Sequence, residues 1–248
     1  MNIKYCLIPL LILLIAACSP TEEPATDVQD PIVLLQEAVD QIQSYETFHM
    51  ILEQTGAPYY FGIAFDEGDD VIGARLLRAQ GQFINPDELF ANVKLNIGLT
   101  ASVDLFARGD DQWLRPPASK DWVHFPFAEG FDPGRILAAD AGLQAALSTL
   151  QNIEYMGLET LIDGSQAYHI KGTASGEVVN DLMFGLLTLE NDVDVDIYID
   201  QVAKNPSQII VTMPETITAE DPEPTRWVIE IFDINAEPSF EYPGAAQS

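Results

Sequence analysis

A cysteine thiol is the strongest nucleophile among the common side chains near neutral pH, and this chain holds two, Cys6 and Cys18. Cys18 directly follows Ala16-Ala17. Small side chains suit a peptidase groove, and the thiol beside them could be alkylated to a thioether. The two cysteines form no CxxC pair, which removes the usual redox and zinc motifs. His49, His124 and His169 are all the histidines, and none has HxxxH or HExxH spacing. They read as ordinary surface or core histidines. Asp192-Val193-Asp194-Val195-Asp196 resembles the start of a calcium loop. Ile197 stands where that loop needs glycine, however, and Ala203 where it needs glutamate. A GxSxG elbow, a P-loop and a GxGxxG turn are all missing from the sequence. Among 39 acidic residues nothing picks out a glycosidase pair. The expectation is a non-enzyme with no metal and no cofactor.

The segment that presents Cys18 is more informative. Lys4 is the one charged residue before it, and residues 7–15 are apolar. A basic start, a short apolar core and a small-residue exit make a secretory signal, too short to span a bilayer comfortably. Ile15-Ala16-Ala17-Cys18 resembles the bacterial lipobox. That resemblance implies diacylglycerol on Cys18, cleavage before it, and a palmitate-type acyl anchor on the extracytoplasmic face of the cell membrane. Residues 1–17 then leave as signal peptide and take Cys6 with them. Residues 18–30, rich in Pro, Thr and Glu, read as a flexible tether. Residues 31–243 suit one medium domain, and 244–248 form a tail. The apolar share of 47% is enough for a core. Net charge is −28, and loss of Lys4 leaves 10 basic against 39 acidic residues, −29. Such a surface excludes nucleic acid as a partner and disfavours electrostatic adhesion to anionic lipid.

Residues 31–44 read as a helix capped by Asp30 with Pro31 at its first position. Residues 47–55 and 73–84 look extended, with a strand or apolar loop at 59–65. Residues 90–107 alternate, Val93, Leu95, Ile97 and Leu99 facing one way, and read as an antiparallel strand with one wet face. Short strands fit 112–115 and 122–127. Asp132-Pro133 opens a second helix carrying Leu137, Leu143 and Leu147. Residues 153–174 form two strands meeting at Asp163-Gly164. A third, very apolar helix spans 176–189. Residues 192–200 are the clearest strand, which puts the aspartates on a wet face and Val193, Val195 and Ile197 inward. Strands at 207–213 and 226–234 flank an acidic, proline-rich loop. Many antiparallel strands with about three helices define an α+β domain.

The order of these elements resembles the LppX/LprA/LprF/LprG lipoproteins of the bacterial envelope over roughly residues 30–243. The resemblance rests on the lipobox and first helix, and on Trp113-Leu114-Arg115-Pro116 followed by Trp122. Later come Asp132-Pro133, Tyr168-His169-Ile170-Lys171-Gly172, the strand ending at Asp200, Phe232-Asp233-Ile234-Asn235 and Phe240-Glu241-Tyr242-Pro243. It implies a strongly curved antiparallel half-barrel closed by helices around an apolar cavity, similar in shape to the outer-membrane lipoprotein carriers. The cavity would hold acyl chains of a lipid or glycolipid in transit, handed on by an envelope transporter partner. The walls would come from Val93, Leu95, Ile97, Leu99, Leu137, Leu147, Phe184, Leu187, Val195 and Ile197. Unusual acidity and a longer acidic loop near Glu220 depart from the pattern and leave the ligand open. From the residues alone, a solid core explains the apolar positions as well as a hollow one does, so a non-catalytic scaffold stays an alternative. The aromatics Trp113, Trp122, Phe125, Phe127 and Phe131 fit core packing better than a lipid-contacting rim.

Overall fold

The structure, a computed structural model, describes residues 29–63, 72–117, 119–125, 131–183, 187–240 and 242–244. Cys18, with the signal and most of the tether, lies outside them, as do Phe127 and Phe184.

The chain opens with α1 (Pro31–Ile42), started as its sequence implies: Asp30 accepts a hydrogen bond from the Ile32 amide, and Pro31 takes a position whose N–H has no helical partner. Among the described residues twelve strands follow: β1 (Thr47–Thr55), β2 (Phe61–Ile63), β3 (Ile72–Ile84), β4 (Glu88–Asn96), β5 (Thr100–Arg108), β6 (Asp111–Arg115), β7 (Val123–His124), β8 (Gln151–Thr160), β9 (Gln166–Ala174), β10 (Val193–Asp200), β11 (Pro206–Met213) and β12 (Thr225–Phe232). Between β7 and β8 come a 3-10 turn (Pro133–Leu137) and α2 (Gly142–Ser148), and between β9 and β10 comes α3 (Gly176–Leu182).

All the strand pairs are antiparallel. They run β7-β6-β5-β4-β3-β1-β12-β11-β10-β9-β8, with β2 added on β3. Two meanders are thus joined where the first strand meets the last, and β7 and β8 remain edges. The sheet must curve. β4 and β9 lie six steps apart, about 29 Å on a flat sheet at about 4.8 Å per strand. Yet Val93 of β4 and Ile170 of β9 belong to one continuous core with all three helices. α1 packs on α2, α2 on α3, and α1 also reaches the far edge at β8. The result is an unclosed half-barrel whose concave face is covered by helices.

Three sequence expectations change. Residues 90–107 are two strands, not one. Asn96 Oδ1 accepts from the Gly98 amide at 3.0 Å and Gly98 has φ +93°, so the chain reverses there. The second helix is broken into the 3-10 turn and α2. Gly142 marks the break at φ +54°, where a Cβ would collide with the carbonyl oxygens of Arg135 and Ile136. The third helix ends at Leu182 rather than near Leu189. The Asn180 side chain bonds both backbone groups of Leu189, at 3.0 and 3.3 Å, holding that residue in a returning segment.

Candidate functional site

The concave face follows from a period of two. In β10, Val193, Val195, Ile197 and Ile199 are at most 4% exposed, while Asp194, Asp196, Tyr198 and Asp200 stand half-buried on the convex side. Register carries the same face across the sheet. Ile197 lies between Ile170 and Ile209, and Leu52 faces Ile229. Leu34, Leu35, Ala38, Val39 and Ile42 of α1 close over it. This concave face is lined almost wholly by hydrocarbon, so the chemistry it can offer is to desolvate apolar matter.

Most of the expected wall residues lie here. Val93, Leu147, Leu187, Val195 and Ile197 are buried in the core, and Leu95 and Leu137 pack against it. Ile97 and Leu99 do not share that face. They flank Gly98 in the β4–β5 turn, and Leu99 is 66% exposed. Alternation had continued in phase through the turn, which hid it. The aromatics also divide. Phe131 joins the main core, whereas Trp113 and Phe106 form a second cluster with Phe90, Trp122, Phe240 and Tyr242. That cluster lies on the convex side, where the C-terminal segment covers it: Tyr242 donates to Glu88 at 2.9 Å and the Ser239 amide to Gln82 at 3.0 Å.

The sequence reading missed Trp227, wholly buried on the concave face beside Ile229 and Ile231. Its strand was evident, and the alternation Thr225, Trp227, Ile229, Ile231 would have aimed it inward. Also missed was a polar cluster on the convex side. His169 meets Glu159 through Nδ1 at 2.7 Å and Asp196 through Nε2 at 2.8 Å, with Tyr198 stacked on its ring at 4.5 Å. Burial, the largest single influence, pushes this imidazole down. The hydrogen bonds and charges of Asp196 and Glu159 together outweigh it and raise it above its ordinary value. Burial, then the Glu159 and Asp196 charges, also raises the Tyr198 phenol. At the end of the half-barrel beside the β3–β4 turn, a cleft of about 260 Å³ is rimmed by Gln43, Asn85 and Gln144 over Ile42 and Leu137. Asp192–Asp196 makes no calcium loop, since its last residues lie in β10. Among the described residues no group of three or more His, Cys, Asp or Glu is placed to hold a metal.

An unclosed antiparallel half-barrel with a helix-covered apolar concavity is the architecture of a known class. Residues 30–228 match the family model described as LppX_LprAFG lipoprotein, and the chain belongs to that family. The lipoarabinomannan carrier protein LprG of Mycobacterium tuberculosis is 26% identical over 171 residues, 68% of this chain and 66% of that protein. The chain thus covers slightly under two thirds of that relative's length. LprG of Mycolicibacterium hassiacum is 29% identical over 170 residues, 67% of this chain and 68% of the relative. Among solved structures, LprF from Mycobacterium bovis superposes with a TM-score of 0.60 at 16% identity, covering 86% of this chain and 96% of LprF. LppX from Mycobacterium tuberculosis does so at 0.56 and 15% identity, covering 85% and 98%. These two likenesses establish the fold. Among the described residues no helix is long and apolar enough to cross a membrane.

Proposed function

We propose that this protein is a non-catalytic envelope lipoprotein, anchored in the cell membrane through acylated Cys18, that takes the acyl chains of a lipid or glycolipid into its half-barrel and carries it within or across the envelope. The observation that carries the reading is the concave face: hydrocarbon from both halves of the sheet, covered by three short helices in a family whose LprG members are named as lipoarabinomannan carriers. Helices that touch one another and one sheet edge can part with little loss of sheet hydrogen bonding, which gives an acyl chain a route inward.

The energetics suit a carrier. Each buried methylene contributes about 0.8 kcal/mol, and a bilayer offers the same chain a similar gain. Uptake and release are then nearly balanced, so small differences at the mouth or at an envelope transporter partner set the direction. The acidic surface, net −28 over the whole chain, is repelled by anionic headgroups, so the tether and the anchor hold the domain near the membrane without adhesion.

The test is native mass spectrometry of the domain from Thr21 onward, purified from its own host without detergent. Lipid at about one molecule per chain, released on denaturation, is the expected result. An apo mass that persists after incubation with host lipid extract refutes the proposal and favours a scaffold with a filled core.

A further inference from the structure

Trp227 is 0% exposed, and its indole Nε1 has no hydrogen-bond partner, the one such side-chain atom among the described residues. A sealed N–H without an acceptor forfeits its hydration, and native interiors rarely leave one so. Its polar neighbours are already engaged. Gln54 lies directly opposite on β1. That amide donates to the Tyr59 carbonyl at 3.0 Å and accepts from Arg75 Nε at 2.6 Å. Tyr59 meets the indole edge-on, with centroids 6.0 Å apart, and its hydroxyl accepts from the Thr188 amide at 3.4 Å. On the other side of the strand pair is Val211. A phenylalanine would fill this apolar position without an orphaned donor.

We propose that Trp227 Nε1 is a ligand-binding donor that receives an ester carbonyl of the acyl cargo, so that the interior prefers ester-linked over ether-linked chains. The inference rests on the lipid-carrier reading above. The indole N–H is a neutral, single donor. A phosphate or carboxylate moved here would lose its hydration for one neutral hydrogen bond, a poor exchange in hydrocarbon. An ester carbonyl needs little desolvation and accepts one such bond, and it is the polar atom that necessarily enters with an esterified acyl chain. Trp227 then fixes how deep the chain sits, with the ester at the Gln54 end of β1 and the hydrocarbon along Leu52, Ile229 and Ile231.

The experiment compares full-length wild type with Trp227→Phe, both in amphipol, for binding of dipalmitoylglycerol and its ether analogue dihexadecylglycerol. Wild type is expected to prefer the ester by about tenfold, the worth of one well-made hydrogen bond to an otherwise unsatisfied donor. Trp227→Phe is expected to bind the ether as wild type does and to lose the ester preference. Equal binding of ester and ether by wild type, or a preference kept in Trp227→Phe, overturns the proposal while leaving the carrier reading intact. Binding of neither probe by folded wild type overturns both. Should Trp227→Phe fail to fold, the indole N–H resonance of wild type decides. A downfield shift on adding the ester but not the ether supports the assignment, and no shift under saturating ester refutes it.

Discussion

Replacing Ile197 with tryptophan tests the concave face at its centre. Ile197 is 1% exposed, on β10 between Ile170 and Ile209. An indole there projects into the space between sheet and helices, because neighbours on both sides fix the strand. Overpacking of this kind costs about 1–3 kcal/mol, which a domain of ordinary stability, about 5–15 kcal/mol, tolerates. A second effect falls on the cargo. Tryptophan exceeds isoleucine by the room of about two methylenes, so about 1.6 kcal/mol of acyl burial is lost, a weakening of over tenfold. The control is Leu99→Trp at the exposed β4–β5 turn, where added bulk meets solvent. Native mass spectrometry after expression in the original host, with circular dichroism to confirm folding, should find Ile197→Trp carrying much less lipid than Leu99→Trp, which stays loaded. A folded Ile197→Trp protein carrying as much lipid as wild type would refute the placement of cargo against β10.

Further expectations concern the supports of the site. His169 has a raised folded-state value, so its stabilisation is fully present below about pH 6.5, the unfolded value, and is lost as pH rises through the raised folded value. The denaturation difference between wild type and His169→Gln, about 1 kcal/mol for a partly exposed cluster, should therefore shrink as the pH rises above about 6.5; a pH-independent difference contradicts the assignment. Gly142→Ala should cost at least about 2 kcal/mol in urea unfolding, from the left-handed backbone and collision with the Arg135 and Ile136 carbonyls, and a neutral substitution would show that the break before α2 is not enforced. Cys18→Ser should abolish lipidation and release the chain from the membrane fraction, read by mass and fractionation, whereas a Cys18→Ser chain that stays lipidated places the anchor elsewhere.

Local features were legible in the sequence because their causes are local. Asp30 and Pro31 start α1, Asp163-Gly164 turns β8 into β9, and the alternation of valine and isoleucine with aspartate sets both faces of β10. Those same rules misread residues 90–107, since alternation stays in phase across the Gly98 turn, although Asn96 and Gly98 carried the turn signal. They likewise joined the 3-10 turn to α2, because an apolar stripe persists across Gly142 while the backbone does not.

What only the tertiary structure decided are the pairings between distant segments. β1 lies between β12 and β3, so the ends of the domain join two meanders into one curved sheet. That curvature brings β4 and β9 around one core, places Ile197 within it and leaves Leu99 outside. It sets His169 between Glu159 and Asp196. It also surrounds Trp227 with groups whose hydrogen bonds are already made. Periodicity records which way a side chain points relative to its own neighbours. Whether anything in the interior can satisfy it depends on contacts across the fold, which no local pattern encodes.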